Sequence, residues 1–441
     1  MLSLLLVALL PQVRDPGGGV ASVVATAPGH ARPNILLVVA DDLGVDLVRA
    51  YGEGSAPPCT PHIDALAAQG LLFRNAWANP VCSPTRAALL TGRHGFRTGI
   101  GSPGGGGGLL ALEERILPEV LDGYASACLG KWHLGAGQLL HPNLSGFQHF
   151  AGILGGAVAD YGNWIKVVDG VPFPTTTYAT RDTADDAIAC IQTLPEPWFL
   201  YVPFFAPHVP HHVPPSEYCG ASACPDSWCG TLPPSPSEPA MAKAMTEVLD
   251  AELGRVLAAL EARAPNSYVF FLGDNGTARD ASEPPFDPDH AKGTPYEGGI
   301  HVPLIVRGPG VVHGECHGLV GATDLFVTVA QLAHVSATTT AEDSLSLVPY
   351  FAHPTRPSLR RTLYSEQFAP NNSAPPYDVH DRAIRDLRFK LIRRIGQADE
   401  FYDLVEDRFE LHDLLEAGLD RTQRAAYDAL VAELVALGVD G

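Results

Sequence analysis

Two adjacent pairs of oxygen donors, Asp41-Asp42 and Asp274-Asn275, stand far apart in the chain. Carboxylate and amide oxygens suit a hard cation such as Ca²⁺ or Mg²⁺ better than zinc, which draws sulfur and imidazole. Asp and Asn also favour caps and turns, so either pair alone reads equally well as backbone chemistry. Two pairs on one rim would repel without a cation, and that favours a metal. The same chain offers Arg86, Lys131 and Lys292, together with His133 and His208, imidazoles that carry protons near neutral pH. Such a set suits a tetrahedral oxyanion whose charge is shared with a divalent metal. His211 and His212 read as loop residues.

Cys82 precedes Arg86 with Pro84 between them, on the approach to a short apolar helical run. A lone Cys is usually a small buried hydrophobe. Beside Arg86 it could instead be a thiolate of lowered pKa. Tyrosine phosphatases use a longer Cys-to-Arg loop and need no metal, so the plain thiolate reading fits poorly beside an acidic metal set.

Apolar runs indicate what positions these residues. Residues 33–40 form a continuous apolar run that reads as a buried parallel strand and stops at Asp41-Asp42. Three more such runs end in polar groups: 124–129 at Lys131 and His133, 198–205 at His208, and 268–272 at Asp274-Asn275. Thr60 and Pro61 carry helix-start chemistry, and 112–121, 181–192, 241–263 and 323–333 read as helices. Residues 303–306 add a strand. The alternation predicts an α/β fold, a large mostly parallel sheet with helices on both faces, and ligands of such sheets bind beyond the carboxyl ends of the strands.

From about residue 361 the texture changes to short alternating segments at 362–366, 389–392 and 400–404, then a helix at 421–437. These predict a smaller antiparallel sheet with a packed helix. The expected organisation is a lead segment at 1–30, a catalytic α/β domain at 31–355 and an α+β subdomain at 356–441.

The net charge of −20 disfavours nucleic acid or an anionic membrane as the general partner. The apolar run at 2–10, with Ala25-Thr26-Ala27 as a cleavage site, reads as a secretory signal, and no later run is long enough to span a membrane. Cys219, Cys224 and Cys229 share a Pro- and Ser-rich loop, as in an exported protein with a local disulfide, a zinc knuckle being the competitor. Asn143-Leu144-Ser145 and Asn371-Asn372-Ser373 match glycosylation acceptors.

Cys82-Ser83-Pro84-Thr85-Arg86, continuing through Leu90-Thr91-Gly92-Arg93, resembles the signature of the type I, formylglycine-dependent sulfatases of the alkaline phosphatase superfamily. Gly130-Lys131-Trp132-His133-Leu134-Gly135 resembles their second signature. Gly273-Asp274-Asn275-Gly276 and 292–299 match two further blocks, and the resemblance runs from about residue 33 to the end. It implies sulfate ester hydrolysis, of an aryl or carbohydrate sulfate, after oxidation of Cys82 to Cα-formylglycine by a formylglycine-generating enzyme. One hydroxyl of the hydrated aldehyde would attack sulfur and the other would expel sulfate. The resemblance further implies Ca²⁺, with Mg²⁺ as the alternative, held by Asp41, Asp42, Asp274, Asn275 and residue 82. Arg86 would orient the diol, Lys131 and Lys292 bind sulfate, His133 act as base, and His208, with Lys292, protonate the leaving oxygen. A secreted, lysosomal or periplasmic location goes with this family.

Thr85 stands where Ser is more usual, His301 where many relatives have Arg, and the segment between Leu112 and Tyr124 is short. None of these removes a catalytic group. The alternatives are a phosphoester or phosphonate hydrolase on the same scaffold, and a catalytically silent binding homologue.

Overall fold

The computed structural model describes residues 32–104, 108–219, 224–335, 340–372 and 375–439, and the apolar lead segment with its expected cleavage site lies outside them. Ten strands form the main sheet: β1 (Ile35–Asp41), β2 (Leu71–Trp77), β3 (Ala125–Lys131), β4 (His149–Ile153), β5 (Trp164–Val168), β6 (Val171–Thr175), β7 (Trp198–Pro207), β8 (Tyr268–Gly273), β9 (Leu304–Arg307) and β10 (Gly314–Gly321). Their order is β10-β2-β9-β8-β1-β7-β3-β4-β5-β6. The four runs that end in polar groups are the neighbours β8-β1-β7-β3, all parallel. Sequence-distant residues therefore meet because their strands share one carboxyl edge.

Both faces of the sheet's central strands are dry, which explains why those strands lack apolar-polar alternation. Ile35, Leu37 and Val39 of β1 join a core with Phe199, Tyr201, Phe270 and the helices Cys82–Thr91 and Asp324–Leu332. Leu36, Val38 and Ala40 join the opposite core with Leu200, Val202, Phe271 and the helices Ala179–Thr193 and Glu238–Arg263. Successive side chains point to opposite faces, so one strand anchors helices on both sides.

Some expectations need correction. The helix expected over 112–121 is only the short turn Leu117–Val120, because Pro118 suits a first turn and Gly123 ends the segment at positive φ. The strand expected at 303–306 runs antiparallel to both β8 and β2. Strands β2, β4, β5, β6 and β10 were not expected, since most are short and interrupted by Arg, Asn, Pro or Gly. In the Pro-rich loop, Cys219 pairs with Cys229, but Cys224 pairs with distant Cys59. The four sulfurs are consumed in disulfides, which removes the zinc-knuckle reading. Asn143 donates to Asp169 and Phe147, and Asn371 donates to Ser102. A glycan on either amide would compete with those bonds.

A second sheet, β11 (Leu363–Ala369), β12 (Val379–Arg385), β13 (Phe389–Arg394) and β14 (Glu400–Asp403), is antiparallel throughout. One face packs Ile384, Leu391 and Phe401 against Leu430 and Leu434 of the helix Arg421–Leu437. The other brings Leu363, Ala383 and Ile392 onto Trp77 and Ile300. Beneath that face Lys390, fully buried, reaches Glu297 at 3.1 Å and Glu410 at 2.7 Å. Removing one partner of a buried ion cluster leaves uncompensated charge. Lys390→Ala is therefore expected to lower stability by about 3–5 kcal/mol, read as a drop in the urea midpoint.

Candidate active site

Asp41, Asp42, Lys131, His133, His208, Asp274 and Asn275 sit where strands stop. After β1, Asp42 adopts φ 65°, and after β3, His133 adopts φ 59°, left-handed conformations that non-glycine residues seldom hold. Such strain persists where surrounding contacts fix it, and here they do. The Asp42 amide donates to Asp274 Oδ1 at 3.2 Å, and the His133 amide donates to Leu154. His133 O accepts from Ser83 Oγ at 3.0 Å. A Cβ on Gly156 would lie 2.6 Å from the His133 ring, so a glycine is needed there.

The helix Cys82–Thr91 carries Cys82 in its first turn and points Arg86 at the sheet edge. Arg86, fully buried, donates to Asp274 Oδ2 through Nε and Nη2 at 3.0 and 2.6 Å and to Lys131 O through Nη1 at 2.8 Å. Its donors are thus committed to a metal-ligand candidate and a strand end. Lys131 Nζ lies 2.5 Å from Asp41 Oδ2, and Lys292 Nζ lies 2.5 Å from Asp42 Oδ1. His208 Nε2 stands 3.9 Å from Asp42 Oδ2. Cys82 Sγ lies 3.2 Å from His133 Nδ1. All the residues expected from the sequence are thereby gathered around one centre, whereas His211 pairs with Glu238 outside it.

Three carboxylates, Asp41, Asp42 and Asp274, face three fixed cations, Arg86, Lys131 and Lys292. The formal balance of this set is zero. Buried oxygens remain over: Asp41 Oδ1, Asp42 Oδ2 and Asn275 Oδ1 have no hydrogen-bond partner. Asn275 uses only its Nδ2, which donates to Asp42 Oδ1 and Gly276 O, both at 2.9 Å. Buried polar atoms are rarely left so. Unpartnered oxygens from both strand-end pairs are what a hard divalent cation takes, so the donor set fits Ca²⁺ or Mg²⁺. Ligand atoms of Asp41, Asp42 and His208, and of Asp41, Cys82 and Asp274, also lie close enough to share an ion.

Burial and charge tune the titrating groups. Burial pushes the Cys82 thiol up, opposed by Lys131, so a free thiolate is disfavoured. Burial, reinforced by Lys131 and Arg86, drives the His133 imidazole far below its ordinary value and keeps it neutral, as a base requires. Burial also lowers His208, but Asp42 and Asp41 pull the other way. Although burial opposes its ionisation, Asp42 is held well below the usual carboxylate range by Lys292 and His208. Asp274 rises to about 6 through burial and the neighbouring Asp41 charge.

Exposure locates the mouth of the site. The side chains of Asp41, Asp42, Asp274, Arg86 and Lys131 are at most 1% exposed, against 12% for His208 and 20% for Lys292. The site opens to solvent beside His208 and Lys292.

Some supporting residues carried no sequence signal. Thr277 Oγ1 donates to buried Asp46 at 2.6 Å and accepts from Gly44 N, tying the loop after β1 to the loop after β8. Tyr161 bonds the backbone of His208 from an unrelated loop. The departure at Thr85 is absorbed: its hydroxyl accepts from Asn79 N at 2.8 Å. His301, in place of Arg, bonds Arg74 O at 2.9 Å and lies near Glu297 and Glu53.

The sulfatase family model matches residues 33–335. The chain belongs to the sulfatase family. It is 33% identical to the N-acetylgalactosamine-6-sulfatase of Sus scrofa over 361 residues, covering 72% of this chain and 65% of that protein. The chain thus spans less than two-thirds of that relative. Arylsulfatase A of Bos taurus is 33% identical over 393 residues, covering 78% of this chain and 71% of the relative. Among solved structures, Ps i-CgsB in complex with k-i-k-neocarrahexaose shares 25% identity and a TM-score of 0.76, with 92% of each chain covered. This sulfatase-family chain has no helix, among its described residues, that is long and apolar enough to cross a membrane.

Proposed function

We propose that this chain hydrolyses an aryl or carbohydrate sulfate ester, using residue 82 as formylglycine and a divalent cation, to release alcohol and inorganic sulfate. The observation that carries the reading is the convergence of three carboxylates, three cations and two imidazoles around Cys82, with oxygens of both acidic pairs left unpartnered. With a divalent cation added, the set would carry net positive charge and receive sulfate or phosphate alike, so family membership and the Cys-x-Pro-x-Arg core favour sulfate. The name of the porcine relative favours a carbohydrate sulfate.

Asp41, Asp42, Asp274 and Asn275 would hold Ca²⁺, with Mg²⁺ as the alternative, beside residue 82. The cation would supply positive charge for the sulfate oxygens and help ionise a bound hydroxyl. In the unmodified chain Cys82 Sγ marks the place of the formylglycine oxygen. His133, neutral and 3.2 Å from that position, takes a proton from a hydroxyl there. Lys131 and Lys292 bind sulfate oxygens, while Arg86 holds Asp274 and the end of β3. His208, at the mouth, gives a proton to the departing alcohol oxygen.

Formylglycine-generating enzyme is the maturation partner this reading requires. The disulfides Cys59–Cys224 and Cys219–Cys229 support an oxidising compartment, hence a secreted, lysosomal or periplasmic location.

Turnover of matched nitrophenyl sulfate and nitrophenyl phosphate tests the reaction class. Sulfate is expected to give the higher kcat/KM. A higher value for phosphate would move the chain to the phosphohydrolase alternative, and turnover of neither, in fully converted and metal-loaded protein, would make it a silent homologue.

A further inference from the structure

We propose that Tyr161 is a positioning residue for His208, and that its hydroxyl sets how well the site handles alcohols that need a proton to leave. The inference rests on the reading of His208 as the proton donor. Tyr161 is buried, and its hydroxyl lies 3.0 Å from Phe205 O and 2.7 Å from His208 O. One O–H proton is shared by two carbonyls that bound a tight turn, itself closed by the His208 amide donating to Phe205 O at 2.9 Å. Tyr161 is therefore the side chain that pins both ends of the turn carrying His208.

The imidazole on that turn has a defined orientation. His208 Nδ1 lies 2.8 Å from Val209 O, a carbonyl that can only accept, so Nδ1 carries hydrogen and Nε2 faces Asp42. With the ring protonated, the Nε2–H proton passes to the alcohol oxygen as the S–O bond breaks. The S–O electron pair goes to that oxygen, and imidazolium becomes neutral imidazole. This transfer depends on Nε2 meeting the oxygen at hydrogen-bond distance, which a small shift of the turn would spoil.

Tyr161 is itself braced. Its ring packs on His212 with centroids 4.6 Å apart and on Tyr178 at 5.7 Å. His212 Nδ1 lies 2.9 Å from Pro210 O and so carries hydrogen, leaving Nε2 to accept from Tyr178 OH at 2.9 Å. His212 thus bonds within the loop that follows His208 while pressing on Tyr161. Its place is a brace, which goes beyond the plain loop role expected from sequence.

The experiment compares wild type, Tyr161→Phe and His208→Ala, all fully converted and metal-loaded, on nitrophenyl sulfate and on an unactivated alkyl sulfate. Nitrophenolate leaves without a proton, whereas an alkoxide does not. Tyr161→Phe is expected to lower kcat on the alkyl sulfate by about tenfold or more while changing nitrophenyl turnover by less than about twofold. His208→Ala should show the same bias more strongly. An equal loss on both substrates, or no loss on either, in Tyr161→Phe beside a biased His208→Ala overturns the positioning role. Absence of bias in His208→Ala overturns the proton-donor reading beneath it. Should Tyr161→Phe fail to fold, Tyr178→Phe, which frees His212 and loosens the same brace, must show the same direction of bias.

Discussion

Replacing Cys82 with Ala is expected to reduce sulfate ester turnover by about 10⁴-fold while leaving the fold intact. The side chain is small, sits in the first turn of the helix Cys82–Thr91 and is 2% exposed, so truncation removes little packing. Its chemical loss is large because the group removed is the one that stands 3.2 Å from His133 Nδ1. The same argument predicts that the unconverted thiol is nearly inactive. Burial holds it protonated, and the nearby cations are already engaged by Asp41, Asp42 and Asp274. Specific activity should therefore follow the fraction of chains whose residue-82 peptide is lighter by about 18 Da, the mass change from thiol to aldehyde. Full activity in material with an intact thiol would falsify the role given to residue 82.

The central sheet was legible because its strands are buried on both faces. A strand such as β1 needs seven consecutive buried residues, and that demand writes a continuous apolar run into the chain. The polar residue that ends such a run is at the carboxyl edge by necessity, which is why the convergence of Asp41, Lys131, His208 and Asp274 is legible in the chain itself. Edge elements leave weaker marks. Strand β6, Val-Pro-Phe-Pro-Thr, is exposed along most of its length and contains two prolines, so no burial pattern betrays it. Disulfide pairing was illegible for a related reason: Cys59 and Cys224 meet only because separate loops fold over the same helix, Glu238–Arg263.

Roles were less legible than positions. Arg86 reads from sequence as a group that touches the reacting centre, yet its hydrogen bonds go to Asp274 and Lys131 O. An Arg fork that is fully buried and so committed holds the Asp274 carboxylate and the end of β3 in place. Tyr161 shows the opposite case, since nothing about a tyrosine in a polar loop announces contact with the backbone of His208.

Chelation gives the other large effect. Removing divalent cation is expected to abolish turnover and also lower the unfolding temperature, since buried oxygens at Asp41, Asp42 and Asn275 lose their partner. A ligand bound only by the folded state stabilises it by RT ln(1 + [L]/Kd), about 2.7 kcal/mol at a cation concentration 100 times Kd. Restoring Ca²⁺ should recover that stability in wild type. Asn275→Leu keeps the approximate volume but removes Oδ1, and it should bind less than one equivalent of Ca²⁺ and show little thermal response to it. The stability readout separates metal binding from catalysis, because Cys82→Ala should lose turnover while largely retaining the Ca²⁺-dependent shift. Carboxylates and Asn275 would supply most of the donor oxygens, and residue 82 would supply at most one ligand. If chelator leaves wild-type stability unchanged, the unpartnered oxygens serve some other end and the cation reading fails.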